Sequence, residues 1–332
     1  MPTNTNSENL QQQIEQSKEI IKNIKTEIHK KIVNQEKLID SILIAIFWKW
    51  HILIEWAPWL AKTLTVDTIA KVIDLSFNRI QFTPDLLPSD LIWTEIYNQK
   101  TWDFTIKKWP IFANLILADE INRSPSKVQS ALLEAMAEKQ VTIWNNSFEL
   151  NPPFTVLATQ NPIEQTWTYK LPEAQMDRFM IKIDISYQDK TIEKEIYKKI
   201  NDNFEDIKIT KVISKNEIIK IWEIIKNIYV SDNIFEYVTN IIDSTRNPEN
   251  YNLSNIKKYI QYWISPRWWI SLISSAKVKA LMEWRDFVLP EDIKSLAHQT
   301  LSHRLLLSYE AIANNIHSHE IIDEILNKIP IV

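Results

Sequence analysis

Apolar positions near the start of the chain recur at helical spacing. Ile14, Ile21, Ile24 and Ile28 form one stripe in an Asn/Gln/Lys-rich stretch and predict a helix within residues 1–34. The first ten residues are expected to be loose. Residues 35–47 predict a second helix. From residue 50 onward, short apolar segments alternate with helical patterns. Strands are expected at 51–55, 79–82, 113–119, 154–160 and 179–185, with helices starting near Lys62, Ser126 and Glu173. Segments such as Leu115-Ile116-Leu117-Ala118 are apolar on both faces, as strands covered by helices on either side must be. The alternation predicts an α/β fold with a parallel sheet. After about residue 188 helical periods dominate and no clear strand appears. The expected organisation is an N-terminal helical segment (1–34), an α/β core (35–188) and a helical domain (189–332).

Composition changes how this pattern is read. The 332 residues include no glycine and 14 tryptophans. An average chain is about 7% glycine, so roughly 23 are missing. The tryptophans stand where glycine is wanted for steric reasons. Trp144 precedes Asn145-Asn146 between two alternating segments, at a hairpin turn. Trp284 follows a long helical period and precedes Arg285-Asp286, in the slot just past a helix C-terminus. Trp48-Lys49-Trp50 separates a helix from a strand, Trp109 precedes Pro110, and Trp268-Trp269 stand at a loop-to-helix junction. These positions read as glycines translated as tryptophan, as happens when a genome reads UGA as glycine and translation assumes tryptophan. The alternative is a Trp-rich protein.

Net charge is −4, from 38 Lys+Arg against 42 Asp+Glu, without the basic excess of a general nucleic-acid binder. Without cysteine there is neither a disulfide nor a thiolate metal site. The longest apolar run, Ile42 to Trp48, is too short for a membrane span. The opening MPTNTNSENLQQQ has no basic n-region or apolar h-region, so no signal peptide is expected. A cytoplasmic setting is the expectation.

The candidate chemistry begins after the first strand of the α/β pattern. Trp56-Ala57-Pro58-Trp59-Leu60-Ala61-Lys62-Thr63 becomes G-A-P-G-L-A-K-T with glycine at 56 and 59, close to a phosphate-binding loop. Small residues let successive backbone N–H groups turn inward around phosphates. Lys62 would neutralise the β/γ-phosphates, and the Thr63 hydroxyl would ligate Mg²⁺. The helix that follows adds its positive end. Ala61 replaces the motif's last glycine but still leaves room. Read literally, Trp56 and Trp59 would put indoles in the phosphate space.

A second strand ends in Asp119-Glu120. Beside a phosphate loop, Asp119 is placed to hold Mg²⁺ and Glu120 to act as general base toward water. Asn161, at the tip of a third strand, could position that water. Arg178 follows a short helix and reads as an arginine finger reaching a neighbouring subunit's site, or as an ion-pair partner of Asp177 or Glu173. Arg267, in Ser265-Pro266-Arg267, could contact nucleotide from the helical domain.

With glycine at the Trp positions the chain resembles the MoxR family of AAA+ ATPases over about residues 34–310. The resemblance rests on the phosphate loop, Gln81-Phe-Thr-Pro-Asp-Leu-Leu-Pro-Ser-Asp90, the stretch from Leu117 to Arg123, Gln129-Ser-Ala-Leu-Leu-Glu-Ala-Met136, residues 158–165 and 168–179, and Ser265–Arg267. Each Trp departs from the family, which has glycine at 93, 102, 109 and 167. The resemblance implies an αβα sandwich with a five-stranded parallel sheet, hairpins around 91–107 and 141–150, and a helical lid. It implies ATP with Mg²⁺, ring assembly, usually a hexamer with the finger acting in trans, and chaperone-like remodelling of proteins or metal-cofactor complexes. Partners with von Willebrand factor A domains are implied as well. If Trp56 and Trp59 are genuine, an inactive scaffold of the same fold is expected instead.

His29, His51, His298, His303, His317 and His319 lack the i,i+4 spacing with an acidic partner of a zinc helix, so nucleotide-borne Mg²⁺ is the only metal expected. The Lys/Glu-rich stretch 189–199 reads as a solvated helix face.

Overall fold

The structure, a computed structural model, describes residues 4–56, 62–98, 103–108, 110–143, 146–161, 169, 171–185, 190–201, 207–262 and 266–331. Chain order runs α1 (Asn4–His29), α2 (Glu36–Trp48), β1 (Ile52–Trp56), α3 (Lys62–Val72), β2 (Phe77–Gln81), α4 (Pro88–Ile92), β3 (Trp93–Asn98), β4 (Asp103–Lys108), β5 (Leu115–Asp119) and α5 (Ser126–Glu138). Then come β6 (Gln140–Ile143), β7 (Asn146–Glu149), β8 (Thr155–Gln160), α6 (Glu173–Met176), β9 (Ile181–Ile185), α7 (Lys190–Asn201), α8 (Lys215–Lys226) and α9 (Asp232–Arg246). The last elements are β10 (Ile260–Tyr262), α10 (Pro266–Met282), α11 (Pro290–Leu301), β11 (Leu306–Leu307), α12 (Tyr309–Ala313) and α13 (Ser318–Lys328).

The chain divides into two compact units, Lys22–Phe179 with Ile183–Ile219, and Met1–Ile21 with Met180–Lys182 and Lys220–Val332. The five-stranded parallel sheet has the order β2-β5-β8-β1-β9. Its central strands carry apolar residues on both faces because helices cover both; every residue of β5 is buried. The core on one face gathers Leu53, Phe82, Ile116, Leu132, Val156 and Phe179. Asn114 fastens the lower edge. Its side-chain NH₂ donates to the carbonyls of Asn151 and Pro153, and its oxygen accepts from the Ser76 hydroxyl. The two expected hairpins are β3–β4, pairing Trp93 with Lys108, and β6–β7, pairing Ile143 with Asn146. The second begins at Asn146, which leaves two residues between its strands; Trp144 itself lies outside the described residues.

The helical C-terminal region carries one departure from expectation. Residues 260–262 and 306–307 form an antiparallel pair where no strand was expected. Strands of three and two residues are too short to show a period, and their pairing is fixed by distant chain.

Helix α10 ends in a left-handed residue, Trp284 at φ 67°, with Arg285 N–H returning to the Ala280 carbonyl. That is the Schellman arrangement, which favours glycine at this slot. At the end of α2 the left-handed residue is Lys49, and Trp50 N–H returns to the Ala45 carbonyl. Trp48 is the last helical residue and Trp50 lies beyond the cap, so the φ > 0 position between them is held by Lys49. Trp268 and Trp269 lie inside α10, past the junction, with Trp268 fully buried. Its indole N–H has no hydrogen-bond partner among the described residues.

His51 joins the sheet to α5. Its Nδ1 accepts from Val156 N–H at 3.0 Å, which leaves Nε2–H to donate to the Met136 carbonyl at 3.3 Å. Burial, with Lys139 nearby, pushes its pKa from 6.5 down to about 4. The unfolded chain therefore binds more protons than the folded one between about pH 6.5 and 4, and stability falls as pH drops through that window. The loss approaches about 3 kcal/mol. Urea midpoints at pH 7.5 and 4.5 are expected to differ less in His51→Gln than in the unsubstituted protein. Equal differences would remove His51 as the source.

Candidate active site

The parallel strands deliver their C-terminal ends to one edge of the sheet, where such folds bind ligands. β1 leads toward the phosphate-loop sequence; residues 57–61, including Ala57, Pro58, Trp59, Leu60 and Ala61, lie outside the described residues. Beyond them α3 opens with Lys62 and Thr63. Lys62 Nζ stands 4.0 Å from Asp119 Oδ1, so the loop lysine and the tip of β5 converge. Asp119 is buried and fully held. Thr159 Oγ1 donates to its Oδ1 at 2.7 Å, and Arg79 donates from Nε and Nη2 to its Oδ2 at 3.1 and 2.6 Å.

Glu120 has left-handed backbone, φ 58° and ψ 48°, a conformation that costs a non-glycine residue about 1–2 kcal/mol. The turn is held by its own N–H donating to Thr159 Oγ1 at 2.9 Å. Its Oε2 accepts from Gln81 Nε2 at 2.8 Å and pairs with Arg123 Nε at 3.2 Å. Both carboxylates are thus held from β2, while Asp119 also faces Lys62 at the start of α3 and Glu120 faces the 3-10 turn at Ile121–Arg123. Asn161 follows the last residue of β8, buried beside this edge.

The profile of the ATPase family associated with various cellular activities (AAA) matches residues 51–181, and that of the AAA lid domain matches 253–325. The chain is 40% identical over 303 residues to Chaperone MoxR1 of Mycobacterium tuberculosis, covering 91% of this chain and 80% of that one. The chain belongs to the MoxR family of AAA+ ATPases. It is also 40% identical over 306 residues to the uncharacterized protein YeaC of Bacillus subtilis, covering 92% and 93% of the two chains. A crystal structure of a provisionally assigned ATPase from Cytophaga hutchinsonii superposes with a TM-score of 0.93 at 47% identity, covering 98% of this chain and 99% of the other.

In this MoxR-family chain Lys62 and Asp119 come together, with Glu120 next in the chain. Arg178 does not join them. Its guanidinium donates to the Leu133 carbonyl of α5, a contact different from the Asp177 or Glu173 pairing that was the alternative. Arg267 is the second residue of α10. Four partners of the carboxylates went unread in the sequence: Thr159, Arg79, Gln81 and Arg123. Arg79 and Gln81 sit two apart on β2, beside Leu117 and Asp119 in register, so alternation puts all four on one sheet face. Only the strand order makes β2 the neighbour of β5.

The histidines pair across elements. His298 Nε2 meets Asp323 Oδ1 at 2.8 Å and its Nδ1 meets His319 Nδ1 at 3.0 Å, while His317 caps α13. No helix among the described residues is long and apolar enough to cross a membrane.

Proposed function

We propose that the protein binds and hydrolyses ATP with Mg²⁺ as a ring-forming MoxR-type remodeller, and that its tryptophans at glycine-type positions are glycine in the native molecule. The observation that carries the first half is the meeting of Lys62 with Asp119 at 4.0 Å beside Glu120, at the C-terminal edge of a parallel sheet. A phosphate-binding lysine, a buried carboxylate and a second carboxylate next to it in the chain are the donor set that a metal-bound triphosphate requires.

In this reading residues 56–61 wrap the phosphates with backbone N–H groups, and Lys62 neutralises the β/γ-phosphates. Thr63 and Asp119 would hold the metal, and bound Mg²⁺-ATP would supply the phosphoanhydride bond to be broken. Glu120 accepts a proton from water once Gln81 and Arg123 release its Oε2, and Asn161 orients that water. Arg178 leaves Leu133 to serve a neighbouring subunit, and Arg267 reaches nucleotide from the lid.

The second half is supported by the left-handed backbone at Trp284 and by the unsatisfied indole of Trp268, since a buried donor without a partner costs about 1–3 kcal/mol. An inert scaffold needs indoles at 56 and 59 and has no other support.

Rings, six-membered by family likeness, a cytoplasmic setting and a protein client complete the proposal, with proteins carrying von Willebrand factor A domains the first client class to test. The name Chaperone MoxR1 supports the remodelling role. The organisation into 1–34, core 35–188 and lid 189–332 belongs to it too.

Phosphate release by the purified native protein tests hydrolysis; no turnover above a Glu120→Gln control would overturn it. Subunit mixing tests the finger. Arg178→Ala and Glu120→Gln proteins, each inactive alone, are expected to regain part of the turnover when mixed. No recovery in rings shown to be mixed by native mass spectrometry removes the trans role.

A further inference from the structure

We propose that Arg79 is a positioning residue for the metal site, holding Oδ2 of Asp119 so that Oδ1 is presented to the start of α3. The inference rests on the ATPase reading and deepens it. The two oxygens of Asp119 have separate partners. Oδ2 takes both donors of Arg79, at 3.1 and 2.6 Å. Oδ1 takes the Thr159 hydroxyl at 2.7 Å and lies 4.0 Å from Lys62 Nζ. A forked guanidinium clamped on one oxygen fixes the carboxylate's rotation, which a single point charge does not. The remaining oxygen then points where the phosphate-loop helix begins.

Asp119 needs such a partner. Its side chain is 8% exposed, and a buried carboxylate without a counter-charge is costly. Arg79 supplies that charge from outside the metal's side, from an edge strand and 46% exposed. It therefore keeps the ligand aimed before metal arrives and need not leave when it does. The same guanidinium donates from Nη2 to Gln81 Oε1 at 2.7 Å, and Gln81 passes a hydrogen bond to Glu120. One exposed arginine thus orders both carboxylates. Partners of this kind, one bond removed from a metal, set affinity by about 10–100-fold.

The test is Mn²⁺ binding, followed by electron paramagnetic resonance, to the native protein with saturating ADP, where no turnover occurs. Arg79→Gln is expected to raise the half-saturating Mn²⁺ concentration about tenfold, with Arg79→Lys intermediate and ADP binding without metal retained. Asp119→Asn sets the floor. Unchanged Mn²⁺ affinity in Arg79→Gln, with or without a lower melting temperature, would reduce the pair to a structural salt bridge and overturn the proposal. Tighter Mn²⁺ binding would also overturn it, making Arg79 a competitor of the metal. If the unsubstituted protein takes up no Mn²⁺ with ADP, the ATPase reading itself fails, a result distinct from either.

Discussion

Glu120→Gln is expected to abolish ATP turnover and leave ATP bound. The amide has the shape of the carboxylate and can keep a hydrogen bond to Gln81 or Arg123, so the strained turn at φ 58° has no reason to relax. What it loses is the capacity to accept a proton from water. General-base contributions run to about 10²–10⁴-fold, so turnover should fall at least a hundredfold. Lys62 and Asp119, which would carry most of the binding, are untouched. The measurement is phosphate release together with nucleotide retained through gel filtration. Unchanged turnover would refute the base role. Loss of retained nucleotide would mean instead that Glu120 supports the fold of the site.

The second large effect concerns residues 56 and 59. A protein with glycine there is expected to bind ATP, and the same protein with tryptophan at both positions to show none by calorimetry. Indole rings would occupy the space that phosphate oxygens need. The fold should survive, because the sheet core gathered around Leu53, Ile116 and Val156 does not depend on that loop. Intact mass of natively expressed material is the companion measurement, lighter than the printed sequence by one Trp-to-Gly difference per recoded site. A mass equal to the printed sequence, or equal ATP affinity in the two proteins, would end the recoding proposal.

Much of the α/β unit was legible because its signals are local. The runs Leu115–Ala118 and Val156–Ala158 are apolar and buried at every position, and only strands covered on both faces need that. Helix starts at Ser126 and Glu173 follow a proline immediately before them, Pro125 and Pro172. Strand edges moved by one or two residues, as at β2, which begins at Phe77 rather than at 79. The short β10–β11 pair was invisible because neither partner is long enough to alternate.

The site divides the same way. Lys62, Thr63, Asp119 and Glu120 belong to spaced motifs whose chemistry a linear reading recovers. That the chain lacks glycine is read from composition alone. Arg79, Gln81 and Thr159 sit in ordinary strands, and nothing local distinguishes them from solvated positions. They meet the carboxylates because the order β2-β5-β8 sets their strands on either side of β5, with Arg79 and Thr159 both forty residues from Asp119. The chain's own order thus determined which groups are present, since motif spacing is a property of neighbouring residues. Which groups hold them, and which oxygen of Asp119 faces the start of α3, was decided only when parallel pairing brought distant strands within hydrogen-bonding distance.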